Sequence, residues 1–269
     1  MRIGKQDAPF TSICTSDAHS ITVRGRDLCG DIIGKMDFTS YFWLLVTGTE
    51  PTEVQKFFAN AVLAAIAEHG LVPSVVAARM TYAAAPEAFH GAVAAGLMGC
   101  GSVVLGSAEI AGRFYADLVG QVHDTGRDAA QIAADGVRTL RATKQAIPGF
   151  GHPQHSAGDP RALLLLEMAG EHGIVGPHIE MLFALRDCLP ETLGRPLPIN
   201  VNGAIPAVML DVGFPVGALK GISLLARTAS LIGHLHEEIE RPIGFVMSGA
   251  AAAAITYDGP QGNASDNAD

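Results

Sequence analysis

Apolar residues recur every three to four positions along much of this chain, and this helical period constrains its fold more than any other feature. Residues 52–68 show the period most clearly, because Thr52 can cap the first turn and Gly70 follows the last one. The apolar stripe of this segment comprises Val54, Phe57, Phe58, Ala61, Val62, Ala65 and Ile66. The segment is therefore predicted to be an amphipathic helix.

The same reasoning predicts further helices and very little sheet. Asp159 followed by Pro160 is a strong helix start, since Asp caps and Pro at the first helical position loses no hydrogen bond. That helix should reach about His172. Others are predicted at 74–82, 87–98, 128–143, 177–189 and 216–240, and one more begins near 198–203. Only residues 21–24 are predicted as a strand, and the polar segment 258–269 is expected to be a disordered tail. The expected fold class is all-α.

Composition and charge argue against several classes of protein. The net charge of −9 argues against nucleic acid as a partner, because phosphate binding needs a basic surface. The four cysteines lie far apart without zinc-site spacing, so we expect no metal and reduced thiols. The longest apolar stretch, 243–255, is too short for a membrane span. These observations predict a cytoplasmic protein with neither a membrane nor a nucleic-acid partner.

A glycine-rich turn at residues 148–155 is the most prominent candidate for chemistry. Gly149 and Gly151 allow the backbone to approach a ligand closely, and His152 follows them shortly before a helix start. An ordinary loop with an exposed histidine would show the same pattern. The residues alone leave both interpretations open.

Two arginines and two asparagines stand in unusual places. Arg161 opens a helix, where a cation opposes the helix dipole, so it has either an anionic ligand or a salt bridge with Asp159. Arg227 lies in an apolar helix segment, where a bound carboxylate or an internal ion pair would justify its burial. Asn200 or Asn202 can cap the next helix, and the other is then a candidate site residue.

The remaining histidines give weaker signals. His234 and His236 cannot bind one metal ion from a helix, because residues two positions apart point about 200° apart. His69 ends a predicted helix, where the helix dipole favours an imidazolium. Capping alone would explain His69.

Taken in order, several motifs of this chain resemble those of the citrate synthase superfamily. The resemblance covers about Thr11 to Gly249. Its motifs are Arg24-Gly25-Arg26-Asp27-Leu28, Gly149-Phe150-Gly151-His152, Asp159-Pro160-Arg161, Asn200-Val201-Asn202, and a later helix with Arg227, His234, Glu237 and Arg241. In its short length, and in residues 11–14 and 217–222, the chain is more similar to citryl-CoA lyase and the C-terminal lyase module of ATP-citrate lyase.

The resemblance implies a citrate synthase-like, all-α homodimer or higher homo-oligomer. A large helical domain, 1–105 with 208–257, and a smaller one, 106–207, would surround a cleft. The implied reaction cleaves citryl-CoA, or a related 3-hydroxy-3-carboxyacyl-CoA, to acetyl-CoA and oxaloacetate. Coenzyme A would enter as part of the substrate, and no other cofactor is implied.

The resemblance also implies roles for individual residues. His152 would hydrogen-bond the oxaloacetate carbonyl, or the citryl hydroxyl as it becomes one. Arg161, Arg227 and His69 would bind substrate, the two arginines through its carboxylates. Arg241 would reach the site of the other subunit.

Coenzyme A would be bound by a second group of residues, namely Gly149, Gly151 and Lys144. Lys144 would substitute for the basic residues that the family usually has just after the loop histidine. Here Pro153-Gln154-His155-Ser156 occupy that stretch.

Two departures from the family pattern define the alternatives. Leu105 stands where citrate synthases have a histidine that polarises the thioester, and the lyase modules lack that histidine too. Asn202 aligns with the catalytic aspartate, and an amide cannot exchange a proton with the acetyl methyl group. The lyase is therefore weighed against a citrate or methylcitrate synthase-type condensation, and against a non-catalytic homologue that binds carboxylate and coenzyme A.

Overall fold

The structure, a computed structural model, describes residues 9–103, 105–151 and 158–260, and this part of the chain is mainly helical. The predicted all-α fold class is confirmed. The α-helices are α1 (Phe38–Thr47), α2 (Glu53–Ala67), α3 (Pro73–Ala84), α4 (Phe89–Met98), α5 (Ser107–Thr125), α6 (Ala129–Ala142), α7 (Pro160–Glu171), α8 (Pro177–Leu193), α9 (Val201–Asp211), α10 (Leu219–Glu240) and α11 (Gly244–Ala254). A π-helical turn, Leu28–Ile32, and a 3-10 turn, Val216–Ala218, complete the helical segments.

Side-chain caps begin three of the helices that the sequence predicts, namely α2, α7 and α9. Thr52 and Gln55 form a reciprocal capping box at the start of α2. Asp159 caps α7, with Pro160 at its first position. Asp128 does precede α6, but its side chain makes no capping hydrogen bond. Helices α1, α5 and α11 are additions to the prediction.

The strand prediction needs correction, because residues 21–24 are one part of a three-stranded antiparallel sheet. Its strands are β1 (Cys14–Ser16), β2 (Ile21–Val23) and β3 (Arg26–Asp27), in the order β1-β2-β3. Cys14 pairs with Val23, and Val23 pairs with Arg26. Strands of two or three residues are too short to show the alternation that predicts a strand.

The chain divides into two compact units. The first comprises Met1–Glu68 and Cys100–Arg227, and the second His69–Gly99 and Thr228–Asp269. These boundaries differ from the domains implied by the resemblance, 1–105 with 208–257 and 106–207, and that division stays a prediction. Of the segment predicted to be a disordered tail, residues 261–269 lie outside the described part of the chain.

In the first unit, α9 is the central helix. It packs against α2, α5, α7 and α8. Val201 and all residues from 203 to 209 are buried, so α9 is apolar around almost its whole circumference. A helix of this kind belongs to the core, and its first turn is therefore fixed inside the unit.

In the second unit, α3 packs against α4 and α11 around a small apolar core. That core comprises Val75, Ala78, Ala92, Leu231 and Leu235.

Beside this core, the buried Arg79 guanidinium donates to Glu238 over 2.6 Å and to Glu237 over 2.8 Å. The other oxygen of Glu238 accepts the N–H groups of Ile243 and Gly244. This ion pair therefore joins α3 to the end of α10 and to the start of α11.

Within the described residues, one helical segment, Val216–Glu240, has the length and mean hydropathy (1.2) of a membrane span. A single helix of this kind is a weak indication, because core helices of globular proteins meet the same criteria. The segment also contains Arg227 and Glu238, two charged residues that are buried in the fold.

We expect Arg79→Met to lower the free energy of unfolding by about 3–5 kcal/mol, because it leaves the Glu238 carboxylate buried without its main partner. Urea denaturation measures this loss. The control is Arg113→Met, which breaks an exposed pair with Glu109 and should cost less than about 1 kcal/mol. Equal losses for the two variants would contradict the structural role assigned to Arg79.

Candidate functional site

Backbone hydrogen bonds hold the glycine-rich turn against the segment that leads into α9. Gly151 N–H donates to the Pro198 carbonyl over 2.8 Å, and Asn200 N–H donates to the Gly149 carbonyl over 3.0 Å. Asn200 Nδ2 also donates to the Gly151 carbonyl over 2.7 Å. The neighbouring residues of the two segments form an isolated antiparallel bridge. The turn is thus a fixed part of the first unit up to residue 151.

Gly149 is required at its position by packing. Its φ is +85°, and a Cβ atom there would collide with the hydroxyl of Tyr115 and the backbone of Gly203. Tyr115 is buried and donates its hydroxyl to the Pro148 carbonyl over 3.3 Å. Burial raises the pKa of Tyr115 far above its usual range, so the phenol stays protonated. The predicted contact of Gly149 with coenzyme A stays a prediction.

Arg161 forms the salt bridge with Asp159 that the sequence left as one of two possibilities. Asp159 Oδ1 accepts the Arg161 Nε–H over 3.0 Å, and Oδ2 accepts from Nη2 over 2.9 Å. Asp159 is completely buried, while Arg161 is partly exposed. Among the described residues, no hydrogen bond reaches Arg161 Nη1. The predicted contact of Arg161 with a substrate carboxylate stays a prediction.

The pKa of Asp159 reflects two opposing influences. Burial acts to raise it, but hydrogen bonds from Arg161 and from the N–H of Val201, 3.0 Å from Oδ2, hold it below its ordinary value. The carboxylate is therefore ionised at neutral pH and forms a charged pair with the guanidinium.

The two asparagines divide their roles as the sequence predicts. Asn200 caps α9, because its Oδ1 accepts the N–H of Gly203 over 3.1 Å. The Oδ1 atom of Asn202 is buried and makes no hydrogen bond within the described part of the chain. Asn202 therefore remains the candidate site residue of the pair.

The other predicted site residues are distributed over both units. His152 lies outside the described residues, because residues 152–157 are not among them. Arg227, in α10, is buried within the first unit. His69 and Arg241 are exposed and belong to the second unit.

The pKa of Arg227 departs from its ordinary value. Burial lowers this pKa, while the neighbouring Glu68 and Cys100 act to raise it. Glu68 and Cys100 both belong to the first unit, as Arg227 does. The acidic group near Arg227 is consistent with the internal ion pair that the sequence left as one possibility, and the substrate-binding role stays a prediction.

A basic groove lies beside the glycine-rich turn. It has a volume of about 590 Å³ and contains the cations Arg141, Lys144 and Arg195 together with Phe150 and Leu197. None of the described residues that line it is acidic. Arg141 and Arg195 were not predicted as site residues. Their position in the sequence could have indicated them, because Arg141 lies a few residues before the glycine-rich turn and Arg195 lies just before the segment that pairs with that turn.

This arrangement suits a ligand that carries several negative charges. The groove offers cations and an apolar wall next to the turn. The turn itself is hydrogen-bonded to the segment that leads into α9, the helix that carries Asn202. Guanidinium and ammonium groups bind phosphates and carboxylates, and Asn202 adds an amide.

Comparison with known proteins gives a family match. Residues 10–243 match the citrate synthase, C-terminal domain family. The chain is 25% identical over 208 residues to citrate synthase from Haloferax volcanii. The aligned region covers 76% of this chain and 52% of that protein. It is 26% identical over 202 residues to citrate synthase 2 from Bacillus subtilis, covering 74% and 51%. The chain spans about half the length of these curated relatives.

Solved structures give a match over nearly the whole chain. Citryl-CoA lyase from Hydrogenobacter thermophilus superposes with a TM-score of 0.83 and 28% identity, covering 97% of both chains. ATP citrate lyase from Methanothrix soehngenii, solved with citrate and coenzyme A, superposes with a TM-score of 0.74 and 22% identity. That match covers 96% of this chain and 43% of the other, and it shows a shared fold.

We expect the stabilising effect of the Asp159 carboxylate to depend on pH. Its pKa is lowered in the folded chain, so unfolding above about pH 4 does not change its charge, whereas below that the unfolded state binds the proton first. The difference in melting temperature between the wild type and Asp159→Asn should therefore be largest at neutral pH, and it should become smaller as the pH falls below about 4. Thermal scans from about pH 3 to about pH 8 measure it. A difference that is independent of pH would contradict the lowered pKa.

Proposed function

Because the chain belongs to the citrate synthase, C-terminal domain family, we propose that it is a carbon–carbon lyase acting on citryl-CoA or a related 3-hydroxy-3-carboxyacyl-CoA. Its products would be acetyl-CoA and oxaloacetate. The observation that carries this proposal is the match to citryl-CoA lyase, which extends over 97% of both chains. The citrate synthases that it matches are about twice as long.

The proposed reaction breaks one carbon–carbon bond. The citryl hydroxyl gives its proton to a neighbouring base or to water and becomes the oxaloacetate carbonyl. The electrons of the broken carbon–carbon bond pass to the thioester as an enolate, which then takes up a proton to give acetyl-CoA. His152 would bind the hydroxyl, and Arg161 and Arg227 would hold substrate carboxylates. Asn202 can donate a hydrogen bond to a developing oxyanion, but it cannot supply the final proton. That proton must come from another group or from water.

The basic groove would hold the coenzyme A part of the substrate. Coenzyme A carries phosphates, and the groove presents Arg141, Lys144 and Arg195 with no acidic residue among the described residues that line it. Gly151 lies on the same wall, so the groove is continuous with the turn that leads to His152.

Two other functions compete with the lyase. A condensing synthase is disfavoured by Leu105, a buried apolar residue, because it stands where the resemblance places a histidine of the synthases that the lyase modules lack too. A non-catalytic homologue is favoured by Asn202, whose amide replaces the carboxylate that the resemblance leads us to expect. Such a homologue would keep the carboxylate and coenzyme A pocket without turnover.

We expect purified protein to release oxaloacetate from citryl-CoA. Malate dehydrogenase and NADH report that product as a loss of absorbance. No loss, with a melting temperature that still rises with citrate or coenzyme A, would replace the lyase by the binding homologue. Thiol release from acetyl-CoA and oxaloacetate, without cleavage of citryl-CoA, would replace it by the synthase.

The same assay tests the groove. Lys144→Gln and Arg195→Gln should each raise the KM for citryl-CoA roughly tenfold, as expected for the loss of one charge-assisted hydrogen bond, with little change in kcat. The matched control is Lys56→Gln, because Lys56 lies outside the groove and pairs with the exposed Glu53. Unchanged KM values in both groove variants would contradict this assignment.

We also propose that the chain forms a homodimer through α11. This helix is almost entirely apolar, yet Phe245 and Val246 are 73% and 67% exposed, and the run of alanines that follows is exposed as well. An exposed apolar surface of this kind is typical of an interface. Arg241, three residues before α11, would then be carried to the interface.

Light scattering should give twice the 28.0 kDa mass of one chain, and Phe245→Asp combined with Val246→Asp should halve it, because the interface would then bury unpaired charges. A monomeric wild type would contradict the dimer. So would an unchanged mass of the double variant, if its helical content is preserved.

A further inference from the structure

Asp159 connects two helix starts that carry predicted site residues. It immediately precedes α7, in which Arg161 is the second residue. It also reaches the first residue of α9, Val201, which precedes Asn202. The carboxylate is completely buried and accepts hydrogen bonds from Arg161 N, Nε and Nη2 and from Val201 N, at 2.9–3.1 Å. One side chain thus contacts both of the elements on which the proposed site is built.

Helix capping alone does not account for this arrangement. The bond from the Arg161 N–H to Oδ1 already caps α7, and Ser, Thr or Asn could accept it without burying a charge. The remaining three bonds go to the guanidinium and to α9. These three bonds are therefore not needed to start α7, and they hold the guanidinium and the first turn of α9 instead.

A second buried aspartate in the same unit shows the contrast. Asp211 accepts the N–H groups of Gly176, His178 and Ile179 at the start of α8, and its fourth partner is the Nδ1 atom of His178. All of these bonds serve one helix start, and none involves an arginine or a predicted site residue. Asp211 is therefore a natural reference for a purely structural buried carboxylate.

We propose that Asp159 is a positioning residue, which holds Arg161 and the Asn202-bearing turn of α9 in a fixed relation for a substrate carboxylate. The inference rests on the proposed function. An arginine side chain has many rotamers, and ordering it when the substrate arrives costs affinity. Asp159 already holds two of the three guanidinium nitrogens, and no hydrogen bond from the described part of the chain occupies Nη1, which is left for the ligand. The site is thus ordered before the substrate binds.

The test compares Asp159→Asn with Asp211→Asn, and isothermal titration measures citrate and coenzyme A separately. Asp159→Asn should weaken citrate binding by at least about tenfold and lower kcat/KM for citryl-CoA by about 100-fold, because the arginine is no longer held in place. Its affinity for coenzyme A should stay within about twofold. Asp211→Asn should keep both affinities within about twofold, although it also loses a buried carboxylate.

A second variant covers the case in which Asp159→Asn does not fold. Asp159→Ser keeps an oxygen that can cap α7 but removes the partner of the guanidinium, and the same loss of citrate binding is expected. Two results would show that Asp159 has only a structural role and would overturn the proposal. One is an equal loss of affinity for citrate and for coenzyme A, and the other is a loss of citrate affinity in Asp211→Asn as large as that in Asp159→Asn.

Failure of the proposed function is recognised separately, since the wild type would then not cleave citryl-CoA, whether or not it binds citrate. Hydrogen exchange measured by NMR still decides the positioning role in that case. Faster exchange of the Val201 N–H and the Arg161 Nε–H in Asp159→Asn would support it, and unchanged exchange would overturn it.

Discussion

The burial of α9 is the constraint on which the first unit depends. Four helices pack against it, and nearly every side chain from Val201 to Met209 is removed from water. A helix that is buried on all sides cannot rotate without exposing apolar surface on one side and opening a cavity on the other. Its first turn is therefore a rigid platform. The glycine-rich turn and the start of α7 are both tied to that platform by hydrogen bonds.

Much of the fold could be predicted because local signals decide it. The capping box of α2 is formed by Thr52 and Gln55, three positions apart, and the start of α7 by the adjacent Asp159 and Pro160. Helix α1 was not predicted, because its segment is apolar and aromatic around most of its circumference and therefore shows no one-sided apolar stripe. Asp37 does cap it. Helix α5 has a clear apolar face, but its N-cap residue is Gly106, which has no side chain to cap it.

The candidate site was only partly predictable, because some of its features depend on segments far apart in the chain. The choice between a ligand and a salt bridge for Arg161 required the position of its neighbour, Asp159. The need for glycine at 149 arises from Gly203 and Tyr115, which meet it only after folding. The groove brings Arg195 to Arg141 across more than 50 positions, and charge along the sequence does not show that approach. Sequence predicted the types of residue in the site, while tertiary packing determines which of them face each other.

The ion pair in the second unit has a consequence for the order in which the protein assembles. Arg79 and Glu238 are 159 residues apart, so closing that contact requires ordering of a very long loop. During synthesis, α3 and α4 leave the ribosome long before α10 and α11, the segments that complete their core. Until then, Val75 and Ala92 face water instead of Leu231 and Leu235. The second unit is consequently completed last, and its unfinished helical pair leaves apolar surface of the nascent chain in water until α10 and α11 arrive.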